Sequence, residues 1–207
     1  MNTFLPVPES HPMEPFLPER ARLLMMGSFP PGITRWSMDF YYPNFQNDMW
    51  RIIGLIFFNN RHHFIEGKKF NKESIRHFCS EKGIALHDTA AKIIREKGNA
   101  SDKYLQVVEL VDLARLLSKI PLCTHVAVTG LKAAETLLQV LAGKGFEQVV
   151  TLPGVGAYST FYYGTRPMKL YRMPSTSRAY PMALEKKAEY YADLFNRALS
   201  GLTPIQW

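Results

Sequence analysis

The chain is poor in cysteine. Only Cys79 and Cys123 occur in 207 residues, at a spacing that suits neither a zinc site nor an iron-sulfur cluster, which takes four thiolates. A disulfide framework and a thiolate-held cluster are therefore excluded, and both thiols are expected to stay reduced. Acidic residues are also the minority, 18 against 25 lysines and arginines, for a net charge of +7 and a pI near 9.4. That basic excess favours a polyanionic partner without requiring one. Long apolar runs are missing: no segment approaches the ~20 residues of a membrane span, so no membrane partner is expected. The first twenty residues hold five prolines but no charged leader and no apolar stretch. They read as a proline-rich N-terminal arm, 1–20, lying on the surface of a single domain, 21–207, with a cytoplasmic location expected. His62 and His63 are adjacent and diverge, which makes a poor metal pair; no metal and no other cofactor is expected.

What is present suffices for a real core, 46% of the residues being hydrophobic. The stretch that organises the rest is RLLMMGSFPPGITRWSMDFYYPNFQNDMWRIIG, residues 22–54. Its opening apolar run, 23–26, has the length of a buried strand and is punctuated by Gly27. Pro30, Pro31 and Gly32 stiffen the loop that follows. That loop carries Trp36, Phe40, Tyr41, Tyr42 and Phe45 among Asn44, Gln46, Asn47 and Asp48, before helical spacing resumes at Trp50. Aromatic faces with carboxamides between them suit a pocket for a flat, hydrogen-bonding heterocycle, and the carboxyl end of a parallel strand is where open α/β sheets bind ligands. The alternative is a surface loop whose aromatics cap the core.

Further along, periodicity predicts helices over 47–58, 71–82, 89–97, 107–119, 131–141 and 183–198, and strands over 84–86, 125–129 and 168–173, with a polar connection at 99–104. Repeated strand, polar turn and helix imply a parallel sheet with right-handed crossovers and helices on both faces. Asn47 or Asp48 suits the start of the first helix, as a cap or as a pocket group. His87 and Asp88 stand at a strand's carboxyl end, where Asp88 suits the cap of the next helix. Arg61, His62, His63, Lys68 and Lys69 read as a solvated basic face, with phosphate contact as the alternative. LPGVGAYS, 152–159, has the glycines of a helix-hairpin-helix turn, but the aromatic, strand-like 158–163 follows where that motif needs a helix.

Three blocks carry a family resemblance. GSFPPG at 27–32 followed by YYPNFQNDMW at 41–50, GIALHDTA at 83–90 and RMPSTSRAYP at 172–181 resemble, in order, the first signature, the central strand and the second signature of the uracil-DNA glycosylase superfamily. They are most similar to its hypoxanthine-DNA glycosylase branch, family six. The resemblance implies a three-layer α/β/α sandwich around a mainly parallel four-stranded sheet. It also implies hydrolysis of the N-glycosidic bond of a deaminated base, such as hypoxanthine, uracil or xanthine, flipped out of single- or double-stranded DNA to begin base excision repair.

By the same resemblance, Gly27, Ser28, Phe29, Tyr41, Tyr42 and Asp88 would receive the base. Pro174, Ser175, Thr176, Ser177, Arg178 and Tyr180 would hold the DNA, with Arg178 or Tyr180 filling the space the base leaves. Two positions depart from the common pattern. Phe29 stands where most branches place a water-orienting Asp or Asn, and Met173 where they place a His that donates to the base. The hypoxanthine-type branch shares the first departure and is thought to use the Asn that falls on Asn47, with Asn44 as its rival. Two other readings stay open: a DNA-binding relative with weakened catalysis, and an enzyme that processes small nucleosides in the same pocket.

Overall fold

The structure, a computed structural model, describes residues 7–95 and 104–199. In chain order its elements are strands β1 (Glu9–Ser10) and β2 (Leu23–Gly27), helix α1 (Met49–Phe58), the short strands β3 (Ile65–Glu66) and β4 (Lys69–Phe70), and helix α2 (Lys72–Lys82). Strands β5 (Ile84–Asp88), β6 (Ala90–Arg95) and β7 (Leu105–Leu110) follow, then helix α3 (Leu113–Lys119), strand β8 (His125–Thr129) and helix α4 (Leu131–Ala142). Strands β9 (Tyr158–Tyr163) and β10 (Arg166–Met173) and helix α5 (Leu184–Ala198) complete the described chain.

The central sheet has the order β5-β2-β8-β10-β9. Its first four strands run parallel, as the sequence implies, and β9 adds an antiparallel edge through its hairpin with β10. Both faces are covered, which is why β2 and the middles of β5 and β8 read as apolar runs and not as alternations; β10, RPMKLYRM, keeps three charged residues. Leu23 and Met25 pack into one layer with α1, α2 and α5. Leu24 and Met26, pointing the other way along the same strand, pack into the second with α3 and α4. Cys79 belongs to the first core and Cys123 to the second. The layers are therefore helix, sheet, helix.

Local signals set the element ends. Asn71 caps α2 by accepting from the Ser74 N–H at 2.9 Å, and Gly83 stops it in the left-handed region at φ 68°. A Cβ at Gly83 would stand 2.7 Å from the Arg20 carbonyl, so only glycine fits that turn. Among the described residues no helix is long and apolar enough to cross a membrane.

Two predicted helices are wrong. Residues 90–95, expected within a helix over 89–97, form β6, and the first part of the helix expected over 107–119 is β7. These strands pair with one another, and β6 also pairs with β1 at Glu9 and Ser10. Pairing, between β6 and β7 and of β6 with the distant arm, overrides a local pattern that allowed a helix. Only Leu113–Lys119 is helical, capped by Asp112 accepting from the Arg115 N–H at 2.9 Å. Asp88 therefore caps no helix. The polar connection expected at 99–104 lies, but for Tyr104, outside the described residues. The segment after the glycine turn at 152–157 is the strand β9 and not a helix, which removes the helix-hairpin-helix alternative.

The arm is also more than a surface cover. Besides pairing through β1, it forms a bridge between Phe16 and Leu86 and carries the His11 side chain to 6% exposure beside the end of β5.

Candidate active-site cleft

The carboxyl ends of β2, β5, β8 and β10 open on one cleft of about 570 Å³, lined there by Gly27, Asp88, Thr129 and Ser175. Two loops wall it. The first leaves β2 through Ser28, Phe29, Pro30 and Pro31, and is braced where the Trp36 indole N–H donates to the Pro31 carbonyl at 2.7 Å. It returns to the cleft at Tyr42, Asn44 and Asn47. The second, which follows β10, contributes residues 175–181.

The loops are joined by hydrogen bonds. The Asp48 N–H donates to the Thr176 carbonyl at 2.8 Å, and Asn47 and Ser177 form an antiparallel bridge. Behind the joint, Lys187 of α5, fully buried, donates to Asp48 Oδ2 and to the Ser177 carbonyl, both at 2.9 Å. Arg178 Nε approaches Asp48 Oδ1 at 3.4 Å. One carboxylate at the start of α1 thus holds the second loop against the first.

Asp88 forms part of the floor. Its Oδ1 accepts from the Gly27 N–H at 3.0 Å, and its Oδ2 lies 3.0 Å from His11 Nε2. A Cβ at Gly27 would be 2.6 Å from Asp88 Oδ1, so a side chain there would displace the carboxylate. His11 stands edge-on to Phe29, with centroids 5.2 Å apart. His87, beside it, has its Nδ1 2.7 Å from the Tyr41 hydroxyl oxygen, which accepts from it; burial, then the proximity of His11, pulls its pKa down to about 4.

Tyr42 supplies the aromatic wall. Its hydroxyl meets Thr129 Oγ1 at 3.3 Å, its ring stands edge-on to Trp50, and burial holds the phenol well above its ordinary pKa. Asn47 has a set orientation: its Oδ1 accepts from the Met49 N–H at 2.9 Å. The amide nitrogen then has no hydrogen-bond partner among the described residues. Asn44 Oδ1 likewise accepts from the Gln46 N–H at 2.9 Å.

Nearly all the residues singled out in the sequence line this cleft: Gly27, Ser28, Phe29, Tyr42, Asn44, Asn47, Asp88, Ser175, Thr176, Ser177, Arg178 and Tyr180. Tyr41 does not. It is 2% exposed, its hydroxyl donating to the Glu14 carbonyl at 3.0 Å and its backbone carbonyl accepting from the Trp50 indole at 3.0 Å. Phe40 is in the core with it, and the Pro174 carbonyl is taken by Tyr191 at 2.8 Å. Met173 is buried under the sheet's first layer, away from the lining.

Sequence reasoning missed three groups. Thr129, at the end of a strand it identified, is reachable from the rule that sheet ligands sit at carboxyl ends. Lys187 and His11 had no local signal, because each acts through a partner more than seventy residues away.

No protein-family model matches the chain, and no curated protein matches it in sequence. A structural match is a solution NMR structure of a protein from Methanosarcina acetivorans, provisionally described as a uracil DNA glycosylase. The TM-score is 0.59 at 21% identity, covering 89% of this chain and 95% of that one. A likeness at that identity is a likeness of fold.

Proposed function

We propose that the protein is a monofunctional DNA glycosylase that hydrolyses the N-glycosidic bond of a deaminated base flipped into the cleft. The observation that carries this reading is the joining of the ring-and-carboxamide loop to the serine-bearing loop over a single cleft at the sheet's carboxyl end. The fold likeness and the three sequence blocks agree with it. An assignment to the hypoxanthine-type branch rests on those blocks.

Breaking this bond leaves positive charge on the sugar and negative charge on the departing base. A site that speeds it must donate hydrogen bonds to the base and hold a water against the sugar. Tyr42 offers a face on which the flipped base stacks. The Phe29 N–H, which has no partner among the described residues, is a donor for the base's carbonyl edge. Asn47 is the catalytic group: with one lone pair of Oδ1 committed to Met49, the other lone pair and the free amide N–H atoms orient the attacking water. A carboxamide takes no proton, so it works by position.

The residue at 173 donates nothing to the leaving base, and loss of such a proton donor typically costs ~10² to 10⁴ in rate. The enzyme is therefore slow, or specialised for bases whose bond damage has already weakened. The second loop enters the duplex, with Ser175 and Ser177 against the backbone and Arg178 or Tyr180 in the vacated space.

Asn47→Ala tests the assignment on a labelled oligonucleotide carrying hypoxanthine or uracil. Base release is expected to fall at least a hundredfold with duplex binding unchanged. An equal loss of binding would reassign Asn47 to holding the two loops together.

A further inference from the structure

Beside the cleft, on the other side of Arg178, lies a second cavity of about 390 Å³. Its walls come from the start of α1, the turn after α1, the second loop and the start of α5. Four fixed cations meet there: Arg51, Arg61, Arg178 and Lys187. Asp48 answers Lys187 at 2.9 Å and Arg178 at 3.4 Å, and Glu185 answers Arg61 at 2.8 Å. Arg51 has no carboxylate partner among the described residues. Its Nη1 donates to the carbonyls of Phe45 and Asn47 at 2.7 and 2.9 Å, and its guanidinium lies over the rings of Phe45 and Phe70.

Two carboxylates against four cations leave an excess of positive charge, and the least compensated member, Arg51, is only 6% exposed. Its pKa is held below the ordinary value by burial first and by the neighbouring Arg178 next. Asp48 offsets this only in part, because its two oxygens are engaged by Lys187 and Arg178. A buried cation that is incompletely compensated is costly unless a partner completes it. A concave site with several guanidinium forks and net positive charge suits a phosphate group, whose oxygens accept charge-assisted hydrogen bonds in the fork geometry.

We propose that this cavity binds phosphate, and that its occupant, given the glycosylase reading on which this identification rests, is a phosphodiester of the strand whose nucleotide enters the neighbouring cleft. Arg178 lines both cavities, so a strand held by phosphate in one presents a nucleotide beside the other. The phosphate of a free mononucleotide is the other source of the same chemistry.

The test uses the full chain and two variants outside the cleft lining. Arg61→Gln removes an exposed cation of the cavity, and Glu185→Gln removes the carboxylate that competes for it. At matched ionic strength, replacing chloride with inorganic phosphate should raise the Tm of the unmodified chain, raise that of Arg61→Gln less, and raise that of Glu185→Gln more. Equal responses in all three, or none, overturn the site. In duplex binding, Arg61→Gln should lower the slope of log K against log salt by about 0.9, one phosphate contact, and Glu185→Gln should not. A phosphate response that follows the variants beside an unchanged slope overturns the DNA occupant in favour of a mononucleotide. The same response in a chain that binds no duplex upholds the phosphate site and removes the glycosylase reading.

Discussion

Tyr42 holds φ at 52°, in the left-handed region where a bulky residue is strained by about 1–3 kcal/mol. Its surroundings impose the strain, through the Thr129 contact and the Trp50 edge, and the result is a ring set against the cleft. If that ring stacks on an extruded base, Tyr42→Ala should weaken binding of a duplex with a flipped or mismatched base by about 1–3 kcal/mol. Tyr42→Phe, which keeps the face and loses only a 3.3 Å contact, should bind nearly as the parent does. Equal losses in a fluorescence titration would show that the hydroxyl, not the ring, matters.

His87 gives a second test at this scale, with a definite sign. Its folded pKa of about 4 lies below the ordinary 6.5, so the folded protein resists a proton that the unfolded chain accepts. Its contribution is therefore complete above about pH 6.5 and is lost as pH falls toward 4, amounting to about 3 kcal/mol if the full displacement applies. Urea unfolding between pH 7 and 4 should show this fall, and His87→Gln should flatten it. An unflattened profile would place the acid sensitivity in other groups.

At the level of elements, the joint between the loops depends on α5 reaching α1 through Lys187 and Asp48. Breaking a buried pair by removing one partner costs about 3–5 kcal/mol, because the other charge is left uncompensated. Lys187→Met should fall in that range by denaturant unfolding, and the further change Asp48→Asn should restore part of the loss. A cost under about 1 kcal/mol would mean that the pair does not organise the loops.

The same scale shows what could be read in advance. Strands β2, β5 and β8 were legible because each has a short apolar run followed by a polar or turn residue, as Leu23–Gly27 has its glycine. The helix at Lys72–Lys82 was legible from its spacing and from Gly83 at its end, while Asn71, counted within it, is its cap. Strands β6 and β7 were not, since Ala90–Arg95 and Leu105–Leu110 are set by pairing with each other and with the arm. In the cleft, the carboxamides and Tyr42 carried a compositional signal. The choice between Tyr41 and Tyr42 did not, because it turns on one left-handed backbone angle.

For the whole molecule, the sheet brings four strand ends to one rim, and the segments that finish the site come from far apart in the chain. The arm supplies His11 as a partner to the floor carboxylate Asp88, and α5 supplies Lys187 to the joint. The cleft, lined from Gly27 to Pro181, is thereby braced by segments near both ends of the described chain. This construction makes the proposed chemistry a property of the full fold, not of any one motif.

The most direct measurement is mass-spectrometric detection of free base released from duplexes carrying uracil, hypoxanthine or xanthine opposite each natural partner. Release of at least one of these, leaving an intact abasic strand and depending on Asn47, is the expected result. Release of none, by a chain that still binds duplex DNA, would contradict the glycosylase reading.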